Sequence, residues 1–261
     1  MQNVWLFLLP VAAALSCSAC DDDDLGSTLT SAPVALELQG VVGAADLALE
    51  SVTYEAPGVA EGFRVSRLSY FLSEVELLSD TDAGELGTDV AEVAYVEHDA
   101  RGRATVALED VPVGEYVGLR FNLGLTEEQD AQQPVDFAPG HPLADPSEYW
   151  VDWGSYVFLK VEGRADTLAD GVARFDQGFV YHVGRAAENT RRLEVRLPIS
   201  VSGETGGVVG PGAEVALTVD LGELLGLRSS APLSVTGVAD HQNDAAAKIM
   251  DNAARAFRRR D

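Results

Sequence analysis

A chain of 261 residues with 42 acidic against 18 basic side chains carries a formal charge of −24. So acidic a balance excludes a nucleic-acid partner, because phosphate binding needs clustered Lys and Arg. The only cysteines, Cys17 and Cys20, lie near the N-terminus, so the body holds neither a disulfide framework nor a thiolate metal site.

Residues 1–19 read as a lipoprotein signal peptide. An apolar stretch, VWLFLLPVAAALS, is too short to span a bilayer, which takes ~20 apolar residues. Small residues and a cysteine follow it. Cys20 is the expected lipidation site, because a polar tether begins at once; a second alignment places the lipid on Cys17. The signal departs from the usual pattern in having no Lys or Arg before its apolar stretch. Residues 20–32 form an acidic tether, and residues 33–261 form one domain. These features predict an exported protein of the periplasm or cell surface, lipid-anchored to the membrane.

Period-2 alternation then recurs along the chain. Val34, Leu36 and Leu38 alternate with Ala35, Glu37 and Gln39. The same pattern returns at Val93–Val96, Tyr116–Leu123, Leu193–Ile199 and Val215–Leu221. Each is the mark of a strand with a buried face. Within residues 63–77 the apolar parity switches twice, which predicts bulges or two short strands. Pro57-Gly58, Asp82-Ala83-Gly84, Pro112-Val113-Gly114 and Pro139-Gly140 supply turns. No amphipathic helix separates the strands. Asn243 caps an expected C-terminal helix, with Ala245, Ile249, Ala253 and Phe257 at helical spacing and arginines near its end. The fold class predicted is all-β: an antiparallel β-sandwich with a short C-terminal α-helix.

Candidate chemistry gathers around Tyr149-Trp150-Val151-Asp152-Trp153-Gly154-Ser155-Tyr156 and around Phe179-Val180-Tyr181-His182-Val183-Gly184. Strand parity turns His182 away from Phe179 and Tyr181. His98 is expected to be solvated at a strand end, His141 to lie in a loop, and His241 to lie beside the helix start. A calcium loop at Asp80-Thr81-Asp82-Ala83-Gly84 lacks the later glutamate and reads as a plain hairpin turn. A Ser155/His182/Asp152 hydrolase has no Gly-x-Ser-x-Gly elbow behind it. The chain is read as a non-enzyme.

Several stretches in order resemble the MbnP-like family of methanobactin-associated periplasmic copper-binding proteins. They are Arg67–Leu77, Val111-Pro112-Val113-Gly114-Glu115-Tyr116 with Leu123-Gly124, the aromatic motif from Tyr149 to Phe158 with Glu162-Gly163, Phe179–Gly184, and Lys248–Asn252 with Phe257. The resemblance implies a Cu(I) site built from histidine and a tryptophan oxidised to kynurenine. It also implies a partner that performs the oxidation, a dihaem cytochrome c peroxidase-like enzyme. By position, Trp150 is the oxidised residue and His182 a metal ligand. Trp153, Asp152, His98 and His241 are possible additional ligands or supports, and Asp152 and Tyr181 are candidates to orient the imidazole. The cofactor implied is copper, in capture or storage. The chain departs from the family pattern in several places: Asp152 stands where a second tryptophan is usual, with Trp153 one residue later; Glu148 stands where a methionine is usual; the first strand has no histidine; and the His/Met-rich stretch before the final helix is reduced to Asp240-His241-Gln242. A metal-free interaction module of the cell envelope is the alternative reading.

Overall fold

The computed structural model describes residues 30–184, 189–202, 213–240 and 243–260. The expected signal peptide, Cys17, Cys20, most of the tether and His241 lie outside the described residues. Two sheets face each other. The first contains β1 (Ser31–Val42), β2 (Ala45–Asp46), β5 (Arg103–Pro112), β11 (Ala213–Asp220) and β13 (Phe257–Arg259). The second contains β3 (Gly62–Thr81), β4 (Gly84–Glu97), β6 (Gly114–Leu123), β8 (Ser155–Asp166), β9 (Gln177–Gly184), β10 (Arg191–Val201) and β12 (Val238–Asp240). A two-residue strand, β7 (Tyr149–Trp150), adds to β8. Helices are short: α1 (Glu127–Asp130), α2 (Leu221–Leu224) and α3 (Asn243–Ala256).

The alternating residues do what the pattern predicts. Val34, Leu36 and Leu38 of β1 face Leu159, Val161, Phe179 and Tyr181 of the second sheet across one large apolar core. The switch of parity in β3 is resolved by bulges in one continuous strand rather than by two strands. Its register shifts near Val65 and again between Ser73 and Glu76, and Glu74 takes φ 47°. The first half of β3 thereby pairs with β8 and the second half with β6, while β4 runs along Ser69–Thr81.

Most pairings are antiparallel, as expected, but two are parallel: β1 with β11, and β9 with β12. Both join strands far apart in sequence. Hairpin geometry does not dictate direction there, so mixed sheets result. The C-terminus also departs from expectation. Ile249, Met250 and Ala253 of α3 are buried, and the helix packs on α2, β9 and β10. Phe257, however, has left the helix and pairs with Val219 as the start of β13. Its ring still enters the core, edge-on to Tyr70 and Phe121. The arginines near the end serve buried and surface carboxylates. Arg258 reaches Asp220, which is fully buried and also caps α2.

The long connection from β6 to β8 positions the site. It leaves the sheet at Gly124 and folds through α1 and three single 3-10 turns, Pro134–Asp136, Pro142–Ala144 and Pro146–Glu148. A capping box between Thr126 and Gln129 fixes its start, and the Gln129 amide ties α1 to the Glu92 carbonyl of β4. The excursion covers part of the outer face of the second sheet. There Phe71, Leu125, Leu143, Tyr156 and Phe158 form a second, smaller core. Val93 and Tyr95 pack on this core while Ala94 and Val96 enter the large one, so β4 is covered on both faces.

Candidate functional site

Strand alternation sets the outer face of the β8–β9 hairpin. Leu159 and Val161 point into the large core, which leaves Lys160 and Glu162 on the opposite side. Across the ladder, Lys160 pairs with His182 and Glu162 with Val180. His182 therefore projects from the face away from Phe179 and Tyr181, as its parity predicts.

The excursion brings the aromatic motif back to this face. Tyr149 and Trp150 pair with Tyr156 and Ser155. Between them the chain makes a tight turn, with Trp153 and Gly154 both donating their N–H to the Trp150 carbonyl, at 3.0 and 2.9 Å. Gly154 takes φ 63°, the left-handed conformation that glycine adopts without strain. The turn folds Trp153 back onto Trp150, with ring centroids 4.5 Å apart and planes 16° from parallel. The Trp150 ring in turn meets His182 edge-on at 5.9 Å. A cleft of about 170 Å³ opens here, lined by Tyr149, Trp150, Val151, Val157, Lys160 and His182 among others.

Charge is arranged beneath the aromatics. His182 Nε2 lies 2.8 Å from Glu162 Oε1. That hydrogen bond, opposed by partial burial, holds the Glu162 carboxyl below the usual glutamate range. Glu148, the residue just before Tyr149, is 1% exposed. Its carboxylate sits 2.7 Å from Lys160 Nζ and 2.9 Å from an Arg67 nitrogen. Lys160 also donates to the Ser147 carbonyl at 3.1 Å. A buried anion between two cations is thus what clamps the turn bearing Trp150 onto β8 and β3. At the other end of the turn Asp130 accepts from Ser155 Oγ at 2.9 Å and from Tyr156 N at 2.9 Å. Burial pushes its pKa up.

Placed on this frame, the predicted residues divide. Trp150, Trp153 and His182 come together. Asp152 is exposed on the turn, and the carboxylate on the imidazole is Glu162 instead. Tyr181 does not orient His182 either, because it faces the large core and donates its hydroxyl to the Ser234 carbonyl at 2.6 Å. Ser155 Oγ is occupied with Asp130 and the Tyr156 carbonyl. His98 is not solvated. It is 3% exposed, with Tyr70 Oη 3.0 Å from Nε2 and the Gly102 carbonyl 2.8 Å from Nδ1. Strand parity carries it into the large core after Ala94 and Val96. His141 caps a 3-10 turn and stacks on Phe137 at 4.3 Å. His241 lies outside the described residues; Asp240, which precedes it, pairs with Tyr181, which precedes His182.

Three contributors were missed from sequence: Glu162, Glu148 and Lys160. The signal for the first was present, since Glu162 shares the polar parity of the β8 segment. Lys160 is one of two lysines in the chain and interrupts an apolar run.

Among the described residues, no three His, Cys, Asp or Glu side chains converge as a metal site would require. Among the described residues, the cleft offers the His182 imidazole and the Glu162 carboxylate bonded to it, with two indoles alongside. An indole N–H donates and offers no lone pair to a metal, whereas kynurenine carries a ketone oxygen and an aniline nitrogen. Imidazole suits copper. The set fits copper only once a tryptophan has been converted.

The chain resembles the structure of MbnP from Methylosinus trichosporium, with a TM-score of 0.51 at 16% identity, over 83% of this chain and 87% of that one. At that identity the likeness is one of fold. No curated protein matches the chain. The MbnP family profile matches residues 31–250, and on that extent the chain belongs to the MbnP family, which is associated with copper and methanobactin.

Proposed function

We propose that this protein is an exported, lipid-anchored copper-binding protein without enzymatic activity. It takes up Cu(I) at the Trp150–His182 cleft after Trp150 has been oxidised to kynurenine. A dihaem cytochrome c peroxidase-like partner carries out the oxidation with hydrogen peroxide as the oxidant: the indole C2–C3 bond is cleaved, two peroxides give the two oxygens of N-formylkynurenine and leave as water, and hydrolysis releases the formyl carbon as formate. His182 contributes an imidazole nitrogen, and the ketone or amine of the modified Trp150 contributes the second donor. His241 is a further histidine candidate, whereas His98 spends both ring nitrogens on the fold. The anchor is Cys20, which holds the domain in the periplasm or at the cell surface for copper capture or storage.

The observation that supports this reading most is the edge contact between Trp150 and His182 at 5.9 Å. Two motifs separated by some thirty residues of sequence meet at one cleft, next to a stacked second indole. The substitution of Glu148 for the family methionine removes a soft donor from the neighbourhood but adds the clamp described above.

The test is co-expression of the mature domain with and without a cognate dihaem partner. The expected result is a kynurenine mass at the Trp150 peptide only with the partner, and Cu(I) uptake only in the modified protein. An unmodified Trp150 beside a competent partner, with no Cu(I) uptake, overturns the proposal. The metal-free interaction module is favoured by one observation, the lack of a converging ligand trio among the described residues. Tight Cu(I) binding that vanishes in His182→Ala eliminates it.

A further inference from the structure

The hydrogen bond on His182 determines more than the orientation of the ring. A neutral imidazole carries its proton on one nitrogen and a lone pair on the other, and only the lone pair binds a metal. Which nitrogen does which is set by the partner of the first.

Here the partner is a carboxylate. Glu162 Oε1 lies 2.8 Å from Nε2 of His182. An ionised carboxylate accepts and has no proton to give, so the hydrogen between the two atoms belongs to Nε2. The contact is built into the hairpin rather than left to a mobile side chain. Glu162 and His182 stand diagonally across the β8–β9 ladder on the same face, with Lys160 directly opposite His182. Arg67 and Lys160, the two cations that flank Glu148, keep the local charge favourable to an ionised Glu162. Nδ1 is buried, so whatever takes its lone pair is shielded from bulk water.

We propose that Glu162 is a positioning residue that fixes His182 as its Nε2–H tautomer, and that Nδ1 is therefore the nitrogen His182 offers to a soft metal ion. The choice of tautomer stands on the hydrogen bond alone; its use toward Cu(I) rests on the copper reading above. The family resemblance marks His182 as a candidate ligand without distinguishing its nitrogens, and the diagonal carboxylate supplies that distinction.

The two parts separate experimentally. Long-range 15N–1H correlation spectra of the metal-free protein, recorded at about pH 8, report the tautomer of His182 directly. The expected result is a dominant Nε2–H tautomer in the wild type, giving way to a mixture in Glu162→Ala with the amide dispersion of the fold unchanged. An Nδ1–H tautomer in the wild type, or a ring protonated on both nitrogens there, overturns the proposal whether or not Glu162→Ala folds. So does a tautomer ratio that is the same in both proteins. Competition titration of partner-modified protein with a Cu(I) chelator then reads the consequence: Glu162→Ala is expected to weaken binding about ten- to hundredfold. Failure of the wild type to bind Cu(I) would sink the copper reading while leaving the tautomer result standing.

Discussion

Two histidines sit at the same eight-stranded sheet and are held in opposite ways. His98 is sealed in the large core between two neutral partners, the Tyr70 hydroxyl and the Gly102 carbonyl. Burial lowers its pKa, so it is a neutral ring whose donor and acceptor are both spent. His182 lies on the outer face beside a cleft, with an anion on one nitrogen and indole edges nearby. The comparison teaches that residue type and strand location do not separate a structural histidine from a candidate ligand. The partners do: two neutral groups tie the His98 ring to the fold, whereas a carboxylate on Nε2 of His182 sets where that ring carries its proton.

The sharpest way to break the outer arrangement is to remove the buried carboxylate of Glu148. Glu148→Ala leaves Lys160, with its side chain 7% exposed, without its counter-charge. Breaking a buried pair in this way costs about 3 kcal/mol, read as a lower midpoint in chemical denaturation. The same variant should loosen the Trp150 turn and reduce the stacking of Trp150 on Trp153, seen as a weaker near-ultraviolet circular dichroism signal. An unchanged midpoint would show that the clamp contributes nothing.

His98→Ala comes next. It orphans the Tyr70 hydroxyl and the Gly102 carbonyl inside the core, and the expected loss is about 2 kcal/mol. Copper uptake by the modified protein should be unaffected in the fraction that folds. The reverse outcome, full stability with lost copper binding, would exchange the roles assigned to the two histidines.

The smallest effects are in pH dependence, and the two regions differ in window. The folded pKa of His98 lies below its unfolded value of ~6.5. The folded state then binds fewer protons than the unfolded one, so stability is full above that value and falls as pH drops toward the folded pKa. Glu162 has a depressed folded pKa. Its contribution is present above the unfolded value of ~4.3 and is lost only as pH falls through the lower, folded one. Because Glu162 is partly exposed, that contribution is small. Denaturation curves against pH should lose their near-neutral slope in His98→Ala and part of their acid slope in Glu162→Gln. A near-neutral slope that persists without His98 would contradict the first assignment.

Much of this was legible in the sequence, and for definable reasons. Alternation located the strands and their core faces, because the large core rewards every second residue. The parity switch in residues 63–77 announced the bulges that let β3 serve two neighbours. The outward parity of His182 and the aromatic motif at Trp150 were both visible. Parity could also have placed His98, since Ala94, Val96 and His98 share one face; reading it as a solvated strand end overlooked the continuing ladder, in which His98 N still bonds the Leu68 carbonyl. Other features follow from contacts between distant segments. The parallel pairing of β1 with β11 joins the two ends of the domain. Phe257 leaves the helix because β11 offers it an open edge. Glu148 is buried only because Lys160 and Arg67 arrive from two other strands. No local pattern encodes these meetings.

The central claim is that the indole of Trp150, once opened to kynurenine, and the imidazole of His182 hold one copper ion. Titrating Cu(I) into partner-modified protein while following the near-ultraviolet absorption of kynurenine tests it directly. The account predicts a saturable shift of that band in the wild type and its loss in His182→Ala. A band that ignores Cu(I), or one that shifts equally without His182, would contradict it.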